Sequence, residues 1–224
     1  SRTGEFKTVP RDDLPSLPSD AETIVFRDWH LLGAPSLVIG KVDLAANGKY
    51  VVQFRLFDVF KTKQALGYQF EAGGNKLRDI AHWISDQVYE HLTRKKGAFN
   101  TRIAYITESL GADDTPRYTL NIADSDGFNP REAVSSSQPI LSPAWSPEGT
   151  RLAYVSYENK QAQIFVQNIG TGKRRLIARF PGLNGAPAWS PDGKQLAMTL
   201  SKDGNPEIYT LDLVTNLFRR ITRN

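Results

Sequence analysis

Between Tyr50 and Asp58 apolar and polar positions alternate. Val52, Phe54 and Leu56 fall on one side, and Val51, Gln53 and Arg55 on the other. A period of two predicts a half-buried strand. Residues 37–42 read as a strand before it, with Asn47-Gly48 as the hairpin turn between them. Residues 64–70 read as a third strand of the same meander. The pattern then changes. Leu77, Ile80, Ala81, Ile84, Val88 and Leu92 share one face of a helix that opens after Gly73-Gly74-Asn75, and that face is expected to lie on the apolar side of the sheet. Upstream, residues 6–9 read as a short strand and residues 10–18 as a Pro-rich loop. Asp20 can open a helix that runs to Leu32 and stops at Gly33. Residues 1–96 thus read as a small α/β domain, a mixed sheet with helices whose hairpin connections make part of the sheet antiparallel. Arg94-Lys95-Lys96-Gly97 reads as a polar, basic hinge, solvated rather than built for an acidic partner.

From residue 97 to 224 the pattern is repetitive. Pro143-Ala144-Trp145-Ser146-Pro147-Glu148-Gly149 returns as Pro187-Ala188-Trp189-Ser190-Pro191-Asp192-Gly193, 44 residues later. Arg151-Leu152-Ala153-Tyr154 answers Gln195-Leu196-Ala197-Met198, and Ile164, Asn168 and Arg175 answer Ile208, Asp212 and Arg219. A period in the low forties with four short strand-like runs per unit is that of a β-propeller blade. The second and third copies are complete, with innermost strands expected at residues 144–146 and 188–190. An earlier copy, from Thr101, has three strands and no Trp-Ser-Pro unit before them. Its innermost strand is expected from elsewhere, most simply from a C-terminal end beyond Asn224. In the motif itself, Pro presets φ for a tight turn and Gly supplies the positive φ that follows. Trp145 and Trp189 are expected to wedge between blades. The whole motif is read as structural.

Composition adds limits. The chain has 40% hydrophobic and 23% charged residues, 17 Gly, 13 Pro and no Cys, a turn-rich globular mix with no disulfide or cysteine metal site. Its net charge of +4 comes from basic residues dispersed among acids, which argues against nucleic acid. No apolar run approaches the ~20 residues of a membrane span, and no signal peptide is present. Both ends read as cut, so the chain is expected to be a piece of a longer protein.

Catalytic motifs are missing. There is no G-x-S-x-G elbow, no G-x-G-x-x-G and no phosphate loop. His82 and His91 fall on opposite sides of one helix and cannot share a metal; His30 stands alone. Gly73-Gly74-Asn75 reads as an ordinary helix entry more readily than as an anion site. Asp113-Asp114 and Asp124-x-Asp126-Gly127 lack complete calcium-loop spacing, and the second also fits a hairpin turn. Neither cofactor nor metal is expected. What remains is surface. Residues 135–142 and 179–187 lead into innermost strands, and residues 108–117, 157–161 and 201–206 join second strands to third. By blade topology all five loops open on one face, around the central channel. Leu183-Asn184-Gly185-Ala186-Pro187 is small and partly apolar, which suits a partner packed close to backbone or simply a tight entry to the channel.

A small α/β domain followed by such blades resembles the TolB family, the periplasmic component of the Tol–Pal system of Gram-negative bacteria. Three stretches carry the resemblance: Lys96-Gly97-Ala98-Phe99-x-Thr101-Arg102-Ile103-Ala104-Tyr105, Ser142-Pro143-Ala144-Trp145-Ser146-Pro147 and Asn184-Gly185-Ala186-Pro187-Ala188. The resemblance implies a six-bladed propeller without catalytic activity, of which about two and a half blades are present here. It implies a channel face that binds the peptidoglycan-associated lipoprotein Pal, and an N-terminal segment, absent from this chain, that binds TolA. It also implies a role in outer-membrane integrity and cell division, and exploitation by colicins. Carried onto this chain, the Pal face comprises Pro139, Leu141, Ser142, Leu183, Asn184, Gly185, Ala186, Pro187, Lys202 and Asp203. Two other classes compete: the propeller of a prolyl-oligopeptidase-like hydrolase, which needs a Ser/His/Asp domain not found here, and a small-molecule or sugar-binding propeller.

Overall fold

Alternation in the first unit produces the expected meander. Strands β1 (Ser36–Leu44), β2 (Tyr50–Asp58) and β3 (Lys63–Ala72) pair antiparallel in the order β1-β2-β3. The computed structural model describes residues 4–111 and 113–223. The chain divides into two compact units, Ser1–Asn100 and Thr101–Asn224. In the first, register places Val52 opposite Phe70, Phe54 opposite Tyr68 and Leu56 opposite Leu66, so one sheet face is aromatic. Helix α2 (Leu77–Thr93) lies on it through Trp83, whose ring centre is 5.0 Å from Tyr68, 5.0 Å from Phe70 and 6.4 Å from Phe54. The other face holds a second apolar cluster, where Leu37, Ile39 and Phe57 meet Trp29, Ile24 and Val59.

Several expectations in this unit need correction. Residues 6–9 form no strand; Phe6 instead packs edge-on to Tyr89 at 5.8 Å. The helix expected over residues 20–32 is broken into a 3-10 turn, Ala21–Thr23, and a short α1, Phe26–Leu31. The β-branched run Thr23-Ile24-Val25 disfavours helix, and Ile24 adopts an extended backbone that buries its side chain. Gly33 does end α1 with φ +75°. On α2, Ala81 and Leu92 are exposed. The basic hinge is the capped end of α2. Arg94 takes the left-handed conformation (φ +63°) and donates its N–H to Glu90, and Lys95 pairs with Glu5 at 2.9 Å. Beyond it, the Asp86 carboxylate accepts the backbone N–H of Phe99 at 2.8 Å and of Asn100 at 3.0 Å.

The second unit contains three antiparallel sheets in succession. The first is β4 (Arg102–Leu110), β5 (Pro116–Asp124) and β6 (Arg131–Ser136), with no fourth strand against β4 among the described residues. The second is β7 (Ile140–Trp145), β8 (Arg151–Ser156), β9 (Gln163–Asn168) and β10 (Arg174–Ala178). The third is β11 (Asn184–Trp189), β12 (Gln195–Leu200), β13 (Glu207–Asp212) and β14 (Phe218–Arg220). The blades pack through their apolar faces. Leu120 and Ile122 meet Ile140, Leu152, Tyr154 and Phe165 at one interface, and Val155, Ile164 and Val166 meet Leu196, Met198 and Leu211 at the next.

The Trp-Ser-Pro turn is held as its sequence requires. Gly149 and Gly193 both have φ +68°, which a Cβ would disfavour. Ser146 Oγ accepts the N–H of Arg151 at 3.0 Å and donates to its carbonyl at 3.1 Å; Ser190 does the same for Gln195 at 2.9 and 3.1 Å. Trp189 wedges between blades and donates from Nε1 to the Ala144 carbonyl of the preceding blade at 3.0 Å. The guanidinium of Arg151 lies 4.5 Å from the Trp189 ring and donates to the Gly193 carbonyl at 3.1 Å. Arg102 repeats the arrangement one blade earlier, 5.0 Å over Trp145 and bonded to the Gly149 carbonyl. Trp145 Nε1 is buried without an acceptor among the described residues. Asp126 serves the β5–β6 hairpin turn, accepting the N–H of Phe128 at 3.1 Å beside Gly127 at φ +83°.

Candidate functional site

The innermost strands begin earlier than the repeat suggests. β7 starts at Ile140 and β11 at Asn184, and each then breaks register, between Leu141 and Ala144 and between Gly185 and Ala188. The break falls on Ser142-Pro143 and Ala186-Pro187. Proline has no N–H for the ladder, so a bulge accommodates it. The residue before each proline takes a left-handed backbone, Ser142 at φ +51° and Ala186 at φ +48°. A residue with a Cβ pays a conformational cost there, and more so before proline. Both side chains are exposed, as are those of Leu141 and Leu183.

Loops from successive strands lock around these bulges. The Tyr157 N–H donates to the Pro139 carbonyl at 2.9 Å, and the Ser201 N–H to the Leu183 carbonyl at 3.1 Å. Ser201 Oγ also accepts the Leu183 N–H at 2.7 Å. Asn184 is buried, its side chain closing the loop on itself: Oδ1 accepts the Phe180 N–H at 2.9 Å, and Nδ2 donates to the carbonyls of Phe180 at 2.6 Å and Gly182 at 3.3 Å. Gly182 has φ +78°, and a Cβ there would run into Ser201 Oγ.

A polar cluster stands beside this loop on the third blade. The Tyr209 hydroxyl donates to Asp203 at 2.6 Å, Lys202 approaches the same carboxylate at 3.3 Å, and Arg220 at 3.8 Å. The Tyr209 hydrogen bond, then Lys202, holds the Asp203 carboxyl below its ordinary range, while Asp203 raises the Tyr209 hydroxyl. Arg220 also pairs at 2.9 Å with the buried Glu207, whose other oxygen bonds Thr222. Lys202 lies 4.9 Å from the Tyr209 ring and 5.5 Å from that of Phe180. Phe180 meets Phe218 edge-on at 5.3 Å.

The expected site residues therefore differ in what they present. Leu141, Ser142, Leu183, Ala186 and Asp203 are exposed; Pro139, Gly185 and Lys202 are half-buried; Asn184 and Pro187 are buried. The Asn184 amide holds its own loop rather than facing solvent. Phe180, Tyr209, Glu207 and Arg220 join the cluster without having been singled out by the repeat. Phe180 carried a signal, an aromatic residue inside a loop, but the pairs between neighbouring strands of the third blade did not. The arrangement suits recognition: small exposed side chains on a raised backbone, bordered by fixed charges. No helix of the described residues is long and apolar enough to cross a membrane.

Comparison with known proteins agrees with this architecture. Residues 89–224 match the TolB beta propeller domain family, and residues 1–65 match the TolB amino-terminal domain. The Tol-Pal system protein TolB of Nitrosococcus oceani is 49% identical over 186 residues, which are 83% of this chain and 43% of that protein. That of Xanthomonas oryzae pv. oryzae is 44% identical over 185 residues, 83% of this chain and 42% of the relative. The crystal structure of TolB from Acinetobacter baumannii superimposes with a TM-score of 0.85 at 41% identity, covering 96% of this chain and 53% of that one. The chain spans less than half the length of these curated relatives. With both matched stretches, the meander under its helix and the repeated Trp-Ser-Pro blades, the chain belongs to the TolB family.

Proposed function

We propose that this chain is part of a non-enzymatic periplasmic scaffold of the Tol–Pal envelope complex, and that its blades contribute to a channel face that binds Pal. The observation that carries the reading is the pair of bulges at Ser142 and Ala186. They lift small side chains out of two adjacent innermost strands, beside the exposed Leu141 and Leu183. Strained backbone that presents small residues fits close packing by a partner. The second unit contains no histidine and no cysteine, so it has no imidazole or thiol for acid–base or covalent chemistry. Through Pal the scaffold would support outer-membrane integrity and cell division. TolA and colicins are further partners on this reading.

The test is a calorimetric titration of the full-length parent protein with the soluble domain of Pal. Saturable one-to-one binding is expected, with Ala186→Arg abolishing it while the melting temperature stays unchanged, because Ala186 is exposed. A folded protein that does not bind, or an Ala186→Arg variant that binds normally, refutes the reading.

A further inference from the structure

We propose that the rim between the second and third blades on the channel face receives an acidic segment of the docking partner, whose carboxylates meet Arg179 and Lys160 where the β8–β9 and β10–β11 loops join. This rests on the reading that the face is a docking surface. Two loops converge to make the rim. Gln161 Nε2, in the β8–β9 loop, donates to the Phe180 carbonyl in the β10–β11 loop at 2.9 Å. Lys160 and Arg179 are the chain neighbours of the two residues in that bond, so two loops from distant parts of the chain each carry an exposed cation next to the point where they join. Lys202 adds a third, 5.5 Å from the Phe180 ring centre.

The nearby acids are already engaged. Arg174 holds Glu158 in a two-pronged pair at 2.6 and 2.9 Å. Tyr209, Lys202 and Arg220 surround Asp203, and Arg220 holds Glu207. Arg179 and Lys160 are exposed, and neither side chain has an ion pair or hydrogen bond among the described residues. Lys160 also sits at φ +60°, where Gly or Asn is the default and a lysine gains nothing locally. The exposed Arg179 guanidinium, without an ion pair among the described residues, presents a planar fork suited to a carboxylate. The surplus of positive charge on these two joined loops selects an acidic occupant over a neutral or basic one, mainly by steering and register.

The experiment titrates the soluble domain of Pal into the full-length parent protein at low and at moderate ionic strength. It compares wild type with the double variant Arg179→Glu/Lys160→Glu. Wild-type binding is expected to weaken with salt. The double variant is expected to lose about tenfold in affinity at low salt, as for two partly exposed charge pairs, and to show a flattened or inverted salt dependence. Its melting temperature should not move. If the double variant binds with unchanged affinity and salt dependence, the rim does not read charge and the inference falls, while the docking reading survives. If the folded wild type does not bind, both fall together.

Discussion

Replacing Arg151 by Met should loosen the seam between the second and third blades, and the size of the loss can be worked from its contacts. The guanidinium donates to the Gly193 carbonyl at 3.1 Å, pairs with Glu148 at 2.6 Å and lies 4.5 Å from the Trp189 ring. About a third of the side chain is exposed (31%), so each contribution takes the lower part of its range. The bond to a carbonyl contributes about 1 kcal/mol, the cation over indole about 0.5 kcal/mol, and the ion pair about 0.5 kcal/mol after solvent screening. The expected loss is therefore about 2 kcal/mol. Methionine keeps an unbranched apolar stem over the indole, so the loss reports the guanidinium rather than the packing. Urea denaturation followed by tryptophan fluorescence measures it. The pH dependence supplies a second check. Arg151 holds the Glu148 carboxyl down to about 2 from an ordinary 4.5. A depressed carboxyl stabilises the fold fully above its unfolded value and loses that contribution as pH falls through the folded one. The gap between wild type and Arg151→Met should therefore narrow as the pH is lowered from 7 towards 3. A gap below about 0.5 kcal/mol at pH 7, the level of an ordinary surface substitution, or one that does not narrow in acid, refutes the clamp.

Three further outcomes follow from single contacts. Gly182→Ala should destabilise the second unit by at least about 1 kcal/mol, since its backbone is left-handed and the new methyl meets Ser201; thermal unfolding reads it. Asn184→Ala should cost about 2 kcal/mol by orphaning the Phe180 N–H and two carbonyls, and should weaken Pal binding by calorimetry although the amide itself is buried. Trp189→Phe should cost about 1 kcal/mol more than Trp145→Phe in this chain of 224 residues, because only Trp189 Nε1 has an acceptor among the described residues; urea midpoints of the two variants decide.

Local rules were legible where local physics governs. The alternation in β2 marked Tyr50–Asp58 to the residue, and the Ser-Pro-x-Gly turn identified its own positive φ. Elements failed where a distant partner decides. Trp83 is the residue that seats α2 on the sheet, yet it lies off the stripe of Leu77, Ile80 and Ile84, because three aromatic rings from β2 and β3 reach it. The helix expected from Asp20 gave way because Ile24 is worth more buried against Trp29 than in a helical turn. The early start of β7 and β11 was hidden by their prolines, which read as loop until a bulge lets the strand continue past them. The candidate site showed the same division. Its small exposed residues were visible as composition, whereas Phe180, Tyr209 and Arg220 are joined to it only by contacts across strands and blades.

The repeat provides its own internal comparison of what the fold needs and what the surface is free to vary. Positions that recur unchanged between the two complete blades are those with a mechanical duty: the wedge Trp145 and Trp189, the turn glycines 149 and 193, and the serines that tie each turn. The bulge recurs as geometry, with Ser142 and Ala186 at nearly the same φ, while its side chain changes. Just before it, and in the loop that locks onto it, the residues change. Gln138-Pro139 becomes Gly182-Leu183, and Tyr157-Glu158-Asn159 becomes Ser201-Lys202-Asp203. Equal backbone with unequal side chains keeps the blade geometry constant while the exposed surface differs from blade to blade. The clamp follows the other rule and breaks it once: the position held by Arg102 and Arg151 is Gln195 in the third blade. A neutral amide has no net charge to place over an indole. At that position the third blade therefore offers an amide where the first two seams are each tied by a guanidinium.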